Sequence, residues 1–210
     1  RVYVLVVIII LVKMAQVVFA LLAVFLVSLC TGQDFCPKEK CPHFCFCCVQ
    51  DFEVRLYGAT DWITTKLDST RIRDYLAANS RLKTYVKRQA EAGFEIPDDC
   101  WPVLVTVTEG EGDPKMSVSW FVPSGGKKGE IYDPLVKLET KPEATIYVRV
   151  FGGAPSTETG QENTKTLREA LAKTGKTFDP STHAAATYES YFSFTHHNEI
   201  WISAASQQQN

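Results

Sequence analysis

The sequence predicts an α+β fold built from a duplicated strand-helix-strand-strand unit. Three observations carry that prediction. Phe52-Glu53-Val54-Arg55-Leu56-Tyr57-Gly58 and Ile146-Tyr147-Val148-Arg149-Val150-Phe151-Gly152 are alternating runs that end at glycine, one in each half of the 210-residue chain. A stretch with helical spacing follows each run. A pair of β-rich segments follows each helix.

In chain order, Phe52, Val54 and Leu56 alternate with Glu53, Arg55 and Tyr57, which reads as a strand with one wet face. Residues 62–65 continue it after a bend at Gly58. A helix is expected over residues 70–89, where Asp68 or Ser69 can cap the exposed backbone N–H groups. Ile72, Tyr75, Leu76, Asn79, Leu82 and Val86 form its inward stripe, and Gly93 ends it. Pro97 and Pro102 bracket an irregular turn that holds Cys100. Residues 103–108 are β-branched and strand-like. Residues 115–122 alternate, with Met116, Val118, Trp120 and Val122 on one side. Residues 132–138 lead into the second half. There a strand over 145–151 is broken by Gly152-Gly153-Ala154-Pro155, and a helix over 158–174 turns Leu167, Ala170 and Leu171 inward. Residues 184–188 and 199–202 are the last strands, flanking a turn with His196, His197 and Asn198. Residues 204–210 are a polar tail.

The start of the chain is different. Residues 1–29 carry only two charges, Arg1 and Lys13, and Met14 reads as the initiator after an upstream extension. The apolar run 15–29 falls short of the roughly 20 residues a spanning helix needs. Small residues Ser28 and Cys30 suit cleavage near Cys30. Residues 1–30 are therefore read as an upstream extension and signal peptide. The mature chain is expected to be secreted and extracellular, with no stable membrane association; an uncleaved leader would instead act as an anchor.

Residues 31–50 are cysteine-rich. Cys36, Cys41, Cys45, Cys47 and Cys48 crowd together, and Cys100 stands apart. An even set in an exported chain suits disulfides, and Cys100 is expected to staple this segment to the main domain. Adjacent Cys47 and Cys48 should reach different partners. Cys41, His43, Cys45 and Cys48 are possible metal ligands, but the second ligand pair of a structural zinc site is missing. Cys45 and Cys48 enclose Cys47, which makes a poor redox motif.

The 22 basic residues against 24 acidic ones give a net charge of −2, without a contiguous basic patch, so nucleic acid is not expected as a partner. No enzyme is expected either. The histidines form no recognisable nucleophile, base and orienter arrangement. Asp98 and Asp99 are adjacent rather than opposed. The run Gly125-Gly126-Lys127-Lys128-Gly129 lacks the order of a phosphate loop.

FEVRLYGATDWITT at 52–65, LKTYV at 82–86, PVLVTV at 102–107, IYVRVFGG at 146–153, GKTFD at 175–179 and NEIWI at 198–202 resemble the SOUL heme-binding protein family in order and spacing. The resemblance covers about residues 52–203, which makes residues 51–203 a SOUL-like domain. It implies a distorted β-barrel or split antiparallel sheet with two outer helices. It also implies binding of heme or another porphyrin, without enzymatic chemistry, in a shallow apolar cleft beside the first helix. One subgroup has a proposed histidine iron ligand in the first strand, at the position of Leu56 here. The stretch 94–103 departs from the family's Met-Thr-Ala-Pro-Val-like element as well.

Candidate ligand contacts follow from the needs of a flat apolar plate with two carboxylates. Leu56 is a core or pocket-wall position. Arg73 and Arg81, two helical turns apart, are candidates for pairing the carboxylates. Tyr75 stands at the pocket edge. His43 could fold back over the cleft, whereas His183, His196 and His197 read as ordinary surface or turn residues. The expected function is binding, sequestration or carriage of a tetrapyrrole small molecule. The alternative is a secreted, non-enzymatic interaction module that has lost tetrapyrrole affinity and meets an unidentified protein partner.

Overall fold

The computed structural model describes residues 35–36, 38–49, 51–94, 96–124, 132–189, 193–194 and 196–205. The expected leader, its cleavage position near Cys30, the 125–129 loop and the end of the tail lie outside the described residues. A short 3₁₀ turn, Lys38–Lys40, precedes β1 (Phe44–Val49), β2 (Phe52–Tyr57) and β3 (Thr60–Leu67). Helix α1 (Ile72–Glu91) follows, then β4 (Val103–Thr108), β5 (Lys115–Val122), β6 (Val136–Lys141) and β7 (Ala144–Phe151). Helix α2 (Thr157–Lys173), β8 (Thr182–Thr187) and β9 (Asn198–Ser203) complete the domain.

The strands form one antiparallel, nine-stranded sheet in the order β1-β2-β7-β9-β8-β4-β5-β3-β6. The fold is therefore the expected α+β arrangement in its split form, an open sheet with β1 and β6 at its edges. The order also explains the duplication. β4-β5-β3 flanked by β6 repeats β8-β9-β7 flanked by β2, so each half receives the leading strand of the other. The equivalent strands are β3 and β7, each of which feeds a helix. The similar runs at 52–58 and 146–152 are neighbours instead, with Arg55 opposite Ile146 in the β2–β7 ladder.

Antiparallel pairing sorts the side chains onto two faces. The inner face gathers Tyr57, Trp62, Phe121, Val148, Ala186 and Trp201 into one buried cluster shared by both halves. The outer face carries both helices. Helix α1 lays Ala78, Leu82 and Tyr85 on Ile63, Val118 and Trp120. Helix α2 lays Leu167 and Leu171 on Phe52, Tyr147, Ile200 and Ile202. Each fully buried leucine contributes about 1.5–3 kcal/mol.

The helix ends differ in detail from expectation. α1 begins after Arg71, which offers no side-chain cap. The Ser69 hydroxyl accepts from Arg71 N–H at 3.3 Å and donates to Asp74 instead. Gly93 closes α1 at φ 85°, where Phe94 N–H reaches Gln89 O at 2.9 Å. α2 has a direct cap, with the Ser156 hydroxyl accepting from Thr159 N–H at 3.1 Å.

The cysteine-rich segment supplies an unexpected strand. β1 pairs along β2 with Cys45 opposite Leu56 and Cys47 opposite Val54. This register puts Cys45 and Cys47 on the outer face, exposed and unpaired. Among the described residues the disulfide is Cys36–Cys41, and Cys100 is a buried free thiol, pushed up to about 11 by burial and by Asp99. The expected Cys100 staple is thus absent. Non-covalent contacts replace it. Cys36 and Cys41 are buried in the inner cluster, Trp101 N–H donates to Lys40 O at 2.8 Å, and Lys40 pairs with Asp99.

Candidate functional site

Two polar clusters lie against this sheet, one on each face. On the inner face Arg55 is 1% exposed, which reverses the expected wet face of β2. Its guanidinium donates to both carboxylate oxygens of Glu199, at 3.0 and 2.8 Å, and to the Tyr57 hydroxyl at 3.2 Å. Glu199 is 0% exposed. It also accepts from Tyr188 Oη at 3.0 Å and Trp201 Nε1 at 2.6 Å, and its Oε1 lies 2.7 Å from His197 Nε2. Burial alone would raise the Glu199 carboxyl, but the His197, Arg55 and Trp201 contacts hold it below its ordinary value. The N-terminal segment closes the network. The Phe44 ring lies 4.2 Å from the guanidinium carbon, and Phe35 stacks on His197 at 3.9 Å. His197 is therefore part of the interior rather than a plain turn residue.

The outer face is incompletely covered. α1 packs on β3, β5 and β6, and α2 packs on β7 and β9, so β4 and β8 run between the helices. At about 4.8 Å per strand, these two strands make a strip of sheet on the order of 10 Å wide. Positions beneath the helices are sealed, as at Ile63, Val118, Ile200 and Ile202. In the strip, Val105, Val107, Met116, His183 and Ala185 are only partly buried.

Register places one end of the strip. Leu67 pairs with Met116, Met116 with Val107, and Val107 with His183. α1 runs back along β3, so its first turns come level with this row. Asn79 accepts from Trp120 Nε1 at 3.0 Å, which turns the flank holding Ile72 and Leu76 toward β5 and the strip. Ile72 and Leu76 are 47% and 48% exposed. From the other side, Arg168 of α2 donates to Pro180 O at 3.0 Å and pairs with Glu109 at 3.5 Å. His183 Nδ1 lies 3.9 Å from the same Glu109 Oε1, beyond hydrogen-bond reach. Arg168 Nε and His183 Nδ1 are buried without a hydrogen-bond partner. A buried orphan donor costs about 1–3 kcal/mol. Burial, and then Arg168, lowers the His183 pKa, which favours the neutral ring.

The sequence-derived candidates divide between these regions. Tyr75 is partly buried against the α1 cluster, at the level of the His183 row. Arg73 occupies the first turn of α1, exposed beside Asp74 at 3.4 Å. Arg81 lies on the opposite flank of α1, where it bonds Thr65 Oγ1 at 3.1 Å and the Lys66 carbonyl. Eight residues turn a helix about 80° beyond two full circles, which separates these two arginines. Leu56 is 48% exposed on the outer face of β2, across α2 from the strip. His43 is exposed ahead of β1, on the edge strand. Sequence reasoning passed over His183, Arg168 and Glu109, because only the β4–β8 pairing and the gap between the helices bring them together.

Among the described residues no group of three or more His, Cys, Asp or Glu side chains is arranged to hold a bare metal ion. No described helix is long and apolar enough to cross a membrane.

A family model described as SOUL heme-binding protein matches residues 39–203. Heme-binding protein 2 of Homo sapiens is 28% identical over 162 residues, 72% of this chain and 77% of that protein. The Mus musculus heme-binding protein 2 is 27% identical over the same shares. Among solved structures, the EcmrR C-terminal domain superposes with a TM-score of 0.54 at 11% identity, covering 71% of this chain and 94% of that one, a likeness of fold alone.

Proposed function

The chain belongs to the SOUL heme-binding protein family, and from that premise we propose that it binds and carries heme or a related tetrapyrrole in the strip between α1 and α2. The observation that carries this reading is a partly exposed apolar floor with two unsatisfied buried nitrogens at one end. A tetrapyrrole is a flat apolar plate with carboxylates on one edge. Val105, Val107, Met116 and Ala185 suit the plate, and Arg168 suits a carboxylate through a charge-assisted hydrogen bond. In this reading Tyr75 and Leu76 form the α1 wall, and Arg73 pairs a second carboxylate at the mouth. Arg81 braces α1 against β3, and Leu56 adds apolar surface on the far flank of α2. The protein's work is binding and release; its residues position and shield the ligand without forming a covalent bond to it.

The reading extends to location. The apolar leader is taken as an export signal, and the Cys36–Cys41 disulfide supports an oxidising, extracellular setting.

Titration of the oxidised, leader-free protein with hemin tests the proposal. The expected result is a saturable 1:1 change in the Soret band. Absence of saturable binding to hemin and to iron-free protoporphyrin would contradict it and favour the interaction module.

A further inference from the structure

We propose that His183 is the residue of this chain that would bind the iron of a heme held in the strip. The inference rests on the binding reading above and assigns a residue to it. The chemistry needs a neutral imidazole on the floor of the apolar strip, one ring nitrogen held by an acceptor and the other offering its lone pair. His183 meets the first condition, because β4–β8 pairing places it beside Val107 on the outer face, with its side chain 15% exposed.

Glu109 is the acceptor placed to supply the second. Its Oε1 is 3.9 Å from His183 Nδ1, and Nδ1 is buried with no hydrogen-bond partner. A small approach of that carboxylate would give an Nδ1–H to carboxylate bond. That bond would fix the tautomer with the lone pair on Nε2 and raise the basicity of the ring, as carboxylates beside metal-bound histidines do. Arg168 ties the arrangement to the ligand's acidic edge, since it pairs with the same Glu109 at 3.5 Å while its Nε lacks a partner. Coordination forms one Nε2–Fe bond, moves no electron, and displaces at most a water from the iron.

The other histidines are placed less well. His197 Nε2 is engaged by Glu199 on the inner face. His43 is exposed just ahead of the edge strand β1, far along the sheet from β8, and His196 lies ahead of β9, beyond the Thr187 end of β8 and away from His183.

Ferric hemin and iron-free protoporphyrin are titrated into the wild type, His183→Ala and Glu109→Gln, with absorption and electron paramagnetic resonance spectra of each complex. The wild type is expected to show a nitrogen-ligated ferric spectrum. His183→Ala should lose that signature, bind hemin about tenfold more weakly, and recover ligation when free imidazole is added. Its circular dichroism melting curve should match the wild type, which reports that the fold is intact, and its protoporphyrin affinity should fall clearly less than its hemin affinity. Glu109→Gln should keep the ligand and shift its spectrum. A nitrogen-ligated spectrum that survives His183→Ala, or wild-type hemin without any nitrogen ligand, would overturn this assignment while leaving porphyrin binding in place. Failure of the wild type to bind either porphyrin would sink the binding reading as well.

Discussion

The two faces of the sheet treat buried polar groups in opposite ways. Inside, the Glu199 carboxylate is ringed by Arg55, Tyr188, Trp201 and His197, with aromatic rings of the N-terminal segment closing over them. Outside, between the helices, Arg168 Nε and His183 Nδ1 are buried and unmet. A satisfied network locks a fold, and it leaves a ligand nothing to complete. Polar groups left unmet beside a partly exposed apolar strip leave room for a ligand. The eye-catching ion pair is accordingly read as architecture, and the plainer strip as the site.

The largest expected effect breaks the inner half of this contrast. Arg55→Ala or Glu199→Ala leaves a buried charge alone and should cost about 3–5 kcal/mol in urea unfolding. The paired replacement Arg55→Met with Glu199→Leu should recover most of that loss. Single variants within about 1 kcal/mol of wild type would refute the architectural role. The same pair sets an acid limit. The Glu199 carboxyl is held below its ordinary value of 4.5, so the unfolded chain takes up its proton first as pH falls. Its contribution is complete above pH 4.5 and is lost as pH drops through the lower folded value. Acid unfolding followed by circular dichroism should begin below that pH, and Glu199→Gln should remove this part of the dependence.

A smaller effect tests the seal. Replacing Cys36 and Cys41 by serine opens a short loop and should cost about 2 kcal/mol. Porphyrin affinity should be unchanged, because the disulfide closes the inner face. A tenfold loss of affinity would place the ligand inside. Smaller again is Val105→Trp, which fills the strip floor. It should weaken hemin binding at least tenfold, roughly 1.4 kcal/mol, with a melting curve close to wild type. The smallest effect separates the two arginines of α1. Arg73→Ala should weaken hemin binding about threefold, as expected for an exposed charge. Arg81→Ala should alter thermal stability more than affinity, since its partners belong to β3.

Much of the architecture was legible in the chain. β4 and β5 follow directly from β-branched and alternating runs, and the Met116, Val118, Trp120 row does lie under or beside α1. What alternation cannot say is which of its two faces meets which layer. In a sheet with helices on one side and its own curled interior on the other, both faces of β2 find cover except at Leu56. Arg55 could therefore turn inward to a partner 144 residues away. An acid at the head of the apolar run Ile200-Trp201-Ile202 was the one local sign of that partner. Cys100 was misjudged for a similar reason, because β1 directs Cys45 and Cys47 outward. The strip itself has no local signal. It is a gap left by strand order, and strand order is a property of the whole chain.

The contrast between the faces has one most direct test. Amide and methyl NMR spectra of the labelled apo domain, recorded during titration with iron-free protoporphyrin, locate the ligand without relying on iron or on a mutation. The account predicts the largest shifts at Val105, Val107, Ala185, Leu76 and His183, with Tyr57, Tyr188 and Trp201 little changed. Shifts centred on Tyr57, Tyr188 and Trp201, with Val105 and Ala185 silent, would contradict it.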